Sequence, residues 1–159
     1  MSDQPFTHLD ADGHARMVDV TAKQITTRSA TAAGRVVCSP EVVALLRDRR
    51  VPKGDVLGVA RVAGIQGAKK CAELLPLAHV IGVHGVTVDL EICDDGVEIV
   101  AQVRTADRTG VEMEALTAVS VAALAVVDMI KGQDRTARIA DVRLLAKEGG
   151  RSGSWRRDE

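Results

Sequence analysis

Val86-Thr87-Val88-Asp89-Leu90-Glu91-Ile92 and Val97-Glu98-Ile99-Val100-Ala101-Gln102-Val103, separated by Cys93 and the turn Asp94-Asp95-Gly96, form the stretch that decides the fold. Successive side chains of a strand point to opposite faces, so the alternation of Val, Leu and Ile with Thr, Asp and Glu buries one face and wets the other. The Asp-Gly turn folds the second half back as an antiparallel partner. Downstream, Thr109-Gly110-Val111-Glu112 has the spacing of a capping box and predicts a long helix to about Lys131, followed by a strand from Ile139 to Ala146. Upstream, Ser39-Pro40-Glu41 predicts a helix start, with Ser as N-cap and Pro where its missing N–H costs nothing. That short helix carries Val42, Val43, Leu45 and Leu46 and stops before Pro52; a second runs from an Asp55 cap to about Leu75, before Pro76. A strand across Arg28 to Cys38 precedes both.

The resulting order is strand, helices, strand, strand, helix, strand. Two βαβ-like halves joined by a hairpin describe an α+β fold, a ferredoxin-like sandwich with an antiparallel four-stranded sheet and helices packed on one face. Residues 1–18 are polar and predict an N-terminal arm, residues 19–148 a single domain, and residues 149–159 a flexible Gly, Ser and Arg tail. The second helix contains Gly58, Gly64 and Gly67, each costing about 1 kcal/mol against Ala in a helix interior. Ala60, Gly64 and Ala68 fall at i, i+4 and i+8, a small-residue stripe that lets another backbone approach.

Composition narrows the function. The 159 residues are 46% apolar and 27% charged, enough for one packed core and too apolar for a disordered chain. The formal net charge of −1 gives no whole-molecule field for duplex DNA, so phosphate binding has to be local. Phe6 and Trp155 are the only aromatic residues, so the core has to be built from Val, Ile, Leu, Met and Ala. The beginning Met1-Ser2-Asp3-Gln4-Pro5-Phe6 has neither a basic nor an apolar export region, which predicts a cytoplasmic protein. The most apolar run, Leu116 to Ile130, contains Asp128 and is shorter than the ~20 residues of a spanning helix, so no membrane span is expected. Cys38, Cys71 and Cys93 lack a CxxC spacing and the four histidines lack a ligand spacing, so no metal site is expected. In the long helix, Leu116, Val119, Ala123, Val126 and Ile130 make a stripe for the sheet. Ala118, Val121, Ala122 and Leu124 leave the other side apolar too, which predicts an oligomer that covers it.

Several residues could carry chemistry, and each also has an ordinary explanation. Glu114 and Asp128 are fourteen residues apart on one helix, so they lie within about 40° of one face but about 21 Å apart along the axis. They cannot share one small-molecule site within a single chain. Lys131 stands three residues after Asp128, which is also the spacing of a surface ion pair. Glu112 is accounted for by the capping box, and Lys53, beside Gly54-Asp55, is either a solvated loop lysine or a phosphate ligand at a helix start. His79 is either a hydrogen-bonded structural histidine or an acid–base group. Lys147-Glu148-Gly149-Gly150-Arg151-Ser152-Gly153 is either flexible or able to close over phosphates with its N–H groups and cations.

The combination of segments points further. Met17-Val18-Asp19-Val20, Lys53-Gly54-Asp55-Val56, Ala60-Arg61-Val62-Ala63-Gly64-Ile65-Gln66, Asp128-Met129-Ile130-Lys131 and Leu144-Leu145-Ala146-Lys147 with Gly149-Gly150 accompany the run Thr109-Gly110-Val111-Glu112-Met113-Glu114-Ala115-Leu116-Thr117-Ala118. Together they closely resemble the cyclic pyranopterin monophosphate synthase family, the C protein of molybdenum cofactor biosynthesis. The resemblance implies a lyase that converts 3′,8-cyclo-7,8-dihydroguanosine triphosphate into cyclic pyranopterin monophosphate with release of diphosphate. It also implies a ferredoxin-like subunit, no cofactor, and a hexamer built as a trimer of dimers with sites at the dimer interface.

By the same resemblance Asp128 and Lys131 are the catalytic acid–base pair, and Arg28, Lys53, Leu77, Ala78, His79, Glu112, Met113, Glu114 and Lys147 bind substrate. Lys53, Lys147 and Arg28 would hold the triphosphate, and His79 with Met113 and Glu114 the pterin-forming end. Family members usually read Leu-Cys-His-Pro-Leu around the histidine, where this chain has Leu77-Ala78-His79-Val80-Ile81 and gains Gly82 and His84. Loss of the proline removes a backbone constraint from the loop that carries His79. Two other readings stand beside this one. A ferredoxin-like sheet is also an RNA-recognition architecture, which needs aromatic residues on its strands, and none is expected there. A non-catalytic homologue that binds substrate or a pathway partner is the other.

Overall fold

β1 (Thr26–Val37) runs through the middle of the sheet, because its inward residues Ala30, Ala32 and Val36 are small or β-branched and fully buried. β3 (Gly96–Asp107) pairs with it antiparallel on one side and β4 (Arg138–Glu148) on the other. β2 (Gly85–Cys93) forms the predicted hairpin with β3, Cys93 facing Gly96 across a two-residue turn. The strand order is β2-β3-β1-β4, the ferredoxin-like arrangement, with a short β5 (Trp155–Arg156) added outside β4. The computed structural model describes residues 8–10 and 12–158; most of the beginning of the predicted arm lies outside the described residues.

The fifth strand is one more than expected. After Gly149 the chain turns back, and Ala146 and Lys147 pair with Arg156 and Trp155. A strand therefore does carry an aromatic residue: Trp155 is 42% exposed at the sheet edge, with the Arg157 guanidinium 5.7 Å from its ring centroid. One aromatic, already stacked by its own neighbour, does not make a base-stacking platform.

α1 (Pro40–Arg47) starts as predicted, the Ser39 hydroxyl accepting from the Val42 N–H at 3.4 Å. α2 (Val56–Lys69) is capped by Asp55, which accepts from the Gly58 N–H at 2.9 Å. It ends six residues short of the predicted Leu75. The Lys70 N–H is shared between the carbonyls of Gln66 and Gly67, the backbone leaves helical geometry, and the chain resumes as the single turn α3 (Cys71–Leu74) with Cys71 buried. α4 (Glu112–Ile130) begins later than the capping box would place it. Its N-cap is Val111, no side chain caps it, and Thr109 stands outside the helix, so the structural explanation of Glu112 falls away.

α4 also corrects the basis for expecting an oligomer. Val119, Ala123, Val126 and Ile130 face the sheet and are fully buried. The opposite side, Ala118, Val121 and Ala122, is covered by α2 of the same chain, leaving Leu124 exposed. A Cβ on Gly64 would stand 2.9 Å from the Ala118 carbonyl oxygen and 3.1 Å from the Ala122 Cβ; one on Gly67 would stand 2.8 Å from the Val121 Cβ. Only glycine allows that approach. By length and hydropathy alone this helix of 19 residues could cross a bilayer, contrary to the length argument; its double-sided packing marks it as a core helix.

Filling this contact forces α2 away from α4, and overpacking of a tight core costs about 1–3 kcal/mol. Gly64→Ala is expected to lower the denaturation midpoint accordingly, whereas Gly132→Ala, where a Cβ meets nothing within 4 Å, is expected to stay close to the original. Urea unfolding of both variants checks this, and equal midpoints would mean that the α2–α4 contact yields freely.

Candidate active site

The loop after α3 and the first turn of α4 face each other across a cleft of about 340 Å³. Leu77, Ala78 and His79 line one wall, Glu112, Met113 and Glu114 the other, and Val18, Val20 and Lys23 close it from the preceding segment. Thr109 and Gly110, freed by the late start of α4, complete the lining together with His8. The first-turn N–H groups of an uncapped helix have no intrahelical partner, which favours negative charge at this end.

Position in the cleft sets the state of its acids. Glu114 is 4% exposed, and desolvation pushes its carboxyl above the usual carboxylate range. Its own backbone N–H, the Cys71 thiol and the His79 imidazole offset part of this rise, and Glu112 adds to it. The ring Nε2 of His79 lies 2.6 Å from the Val18 carbonyl oxygen, so the histidine donates to the segment that closes the cleft. The loop that carries His79 is tied on its far side as well. Thr105 donates its hydroxyl to the Gly82 carbonyl, and the His84 Nδ1 accepts from the Ala106 N–H at 3.3 Å.

A second cluster lies at the other end of α4. Lys131 Nζ stands 2.7 Å from Asp128 Oδ1, and Lys53 Nζ donates to Asp128 Oδ2 at 3.2 Å and to its backbone carbonyl at 2.7 Å. Lys53 thus satisfies one of the orphan carbonyls of the last helical turn. Hydrogen bonds from Lys131 and Lys53 hold the Asp128 carboxyl below the usual range. All three side chains are about half exposed, so the pairing contributes little to stability.

Arg28 and Lys147 sit on the sheet at the end nearer the cleft. Arg28 donates to the carbonyls of Asp107 at 3.1 Å and Arg108 at 3.2 Å, clamping the end of β3. Lys147 hydrogen-bonds Ser152 across a turn in which Gly149 and Gly150 have φ of +85° and +75°. The Arg28 guanidinium packs where a Gly150 side chain would be.

The structure therefore brings Leu77, Ala78, His79, Glu112, Met113 and Glu114 together and sets Lys53, Asp128 and Lys131 apart from them, about 21 Å along α4. Val18, Val20 and Lys23 went unassigned in the sequence; Val18 and Val20 belong to a segment that carried the resemblance, while Lys23 had no signal. Asp10, Asp12 and His14 also present ligand atoms within 4.8 Å of one another. The Asp10 carboxylate accepts the N–H groups of Asp12 and His14, and that turn accounts for the cluster without an ion.

A ferredoxin-like chain with a buried acid and a histidine in a cleft, and a separate cationic pair on a carboxylate, has the equipment of a small-molecule enzyme that moves protons and holds anions. The MoaC family matches residues 17–150. A cyclic pyranopterin monophosphate synthase of Streptomyces griseus is 61% identical over 152 residues, 96% of this chain and 86% of that protein. One of Nocardioides sp. is 59% identical over 162 residues, 99% of each chain, and one of Pelobacter propionicus 53% over 157 residues, 97% and 98% of the two. The chain belongs to the MoaC family.

Glu114 gives a pH-dependent test of the cleft. A carboxyl whose folded pKa is raised contributes stability that is fully present below its unfolded value, about 4.3, and is lost as pH rises through the folded one. Glu114→Gln keeps the shape and removes the titration. Its denaturation midpoint relative to the unaltered protein is expected to rise with pH across that window, and a difference independent of pH between 3.5 and 8 would refute it.

Proposed function

We propose that this chain is a cyclic pyranopterin monophosphate synthase, converting 3′,8-cyclo-7,8-dihydroguanosine triphosphate to cyclic pyranopterin monophosphate and diphosphate. The observation that carries the reading is the convergence of Leu77-Ala78-His79 and Glu112-Met113-Glu114 on one cleft, in a chain about 60% identical to synthases over nearly its full length. It acts as a phosphorus–oxygen lyase in the cytoplasm. The steps are ring opening, ring closure and attack of an oxygen on the α-phosphorus with departure of diphosphate, which call for proton transfer and anion stabilisation without net redox change.

In this proposal Lys131 and Asp128 exchange the protons, with Lys53 fixing the carboxylate from its other side. Lys53, Lys147 and Arg28 neutralise the triphosphate, and His79, Met113 and Glu114 orient the pterin-forming end. Because α4 holds the two clusters apart, a complete site takes the His79 cleft from one subunit and the Lys131 cluster from another. That requirement supports a homohexamer, a trimer of dimers with sites at the dimer interface, in place of the argument from α4's covered face.

Anaerobic turnover of the cyclised substrate, read as fluorescent oxidised pterin and as diphosphate, tests the activity. Tight binding without either product would make the chain a non-catalytic binding homologue. Lys131→Ala and His79→Ala are each expected to lower kcat by about 10²–10⁴-fold. Mixing the two after dissociation and reassembly is expected to restore activity to about a quarter of the original, since half of the randomly paired dimers keep one intact site of two. Mixtures no more active than their components would place both clusters' chemistry within one subunit's reach and overturn the shared site.

A further inference from the structure

A half-buried carboxylate that does not itself line the cleft holds the loop behind it. Asp107 is the last residue of β3. Its Oδ2 accepts the Gly82 N–H at 3.3 Å, and its Oδ1 accepts the Arg108 N–H at 2.7 Å. Thr105, two residues earlier and so on the same face of the strand, donates its hydroxyl to the Gly82 carbonyl. Both backbone groups of Gly82, three residues after His79, are therefore taken by β3. The Asp107 backbone carbonyl accepts from Arg28 Nε at 3.1 Å, so the strand end that carries this carboxylate is the one that Arg28 clamps.

We propose that Asp107 is a positioning residue for His79, its carboxylate fixing the loop to the strand end that Arg28 clamps. The inference rests on the reading of the cleft as the substrate site, in which Arg28 meets the triphosphate and His79 the pterin-forming end. The spacing between those two groups is then set through one side chain. Between His79 and Gly82 the chain offers little else to hold it: Val80 is 91% exposed, and Ile81 is only partly buried against the core. An ionised acceptor suits the task, because hydrogen bonds to a charged oxygen are shorter and stronger than neutral ones. The Arg108 N–H, then the Gly82 N–H, the Arg108 guanidinium and the nearby His84 hold this carboxyl below the usual carboxylate range against the effect of burial. At neutral pH both of its oxygens therefore accept.

The experiment follows the His79 ring directly, through its side-chain nitrogen and proton NMR signals, identified by their loss in His79→Ala, with kcat/KM beside them. Asp107→Ala is expected to shift the ring signals and to lower kcat/KM by about tenfold to a hundredfold, the scale of a displacement of about 1 Å in a group that orients substrate. Asp107→Asn, which keeps an acceptor oxygen at the same reach, is expected to leave the signals in place and kcat/KM within about threefold of the original. In the His79→Ala background, Asp107→Ala is expected to cost nothing further, because the ring through which it acts is gone. An undiminished further loss there would make Asp107 a general structural residue and overturn the proposal. Unmoved ring signals in Asp107→Ala, or equal shifts in Asp107→Ala and Asp107→Asn, would overturn it as well. Should Asp107→Ala fail to fold, Asp107→Ser, whose shorter side chain falls short of the Gly82 N–H, carries the same reading, and unmoved signals there remove it. The ring signals report on the loop whether or not the protein turns over substrate, so failure of the synthase reading and failure of this one remain separate results.

Discussion

The close approach of α2 to α4 across Gly64 and Gly67 is the constraint on which the rest of the structure depends. Among the described residues there is no aromatic side chain in the core, so no large group is present to bridge a wide gap between helices. Valines, alanines and a few isoleucines fill the interior only if backbones come close, since voids forfeit dispersion contacts. The glycines lower the propensity of α2, and the contact they permit offsets that cost. α4 is thereby fixed between the sheet and α2, and its two ends become rigid mounts for two chemical clusters.

Those ends differ as helix physics dictates. The first turn is uncapped, opens onto the cleft and carries Glu112 and Glu114, whose charge suits the N-terminal end of the dipole. The last turn offers free carbonyls and gathers Lys53 and Lys131 around Asp128. One end is dry and holds a carboxyl that resists ionisation; the other is wet and holds a carboxylate that two ammonium groups keep ionised. Two carboxylates on one helix face thus acquire opposite tendencies from their surroundings.

Much of this was legible in the sequence, because much of it is local. Period-two alternation set the β2–β3 hairpin, with Gly96 paired to Cys93 where the sequence had placed it in the turn, and Ser39-Pro40 and Asp55 began α1 and α2 where they predicted. The strand order followed from connectivity rules. What was not legible depended on tertiary contacts. The capping-box pattern at Thr109 matched in spacing, yet the helix starts at Val111's successor, because residues 109 and 110 line the cleft. The second apolar face of α4 looked like an interface because nothing in a linear pattern tells which neighbour covers it; the small-residue stripe on α2 was the matching surface. Cys71 read as a small buried residue and is one, but the break at Lys70 that places it beside Thr117 is announced by no capping residue or proline.

The loop that carries His79 shows how a loop can be held without a proline after its histidine. A proline after the histidine fixes one φ angle and so limits the loop before it ever folds. Val80 does not, and at 91% exposure it packs against nothing that would hold it. Restraint comes instead from both flanks: the Ala78 N–H bonds the Leu75 carbonyl at 3.0 Å, His79 reaches Val18, and Gly82 and His84 are fastened to Thr105 and Ala106 on β3. Proline acts mainly by lowering the entropy of the unfolded chain, whereas hydrogen bonds act in the folded one. The position of His79 here therefore depends on β3 being intact at Thr105, a residue outside the loop and 2% exposed. The histidine's placement has become a property of the sheet, and substitutions at the end of β3 reach the cleft through it.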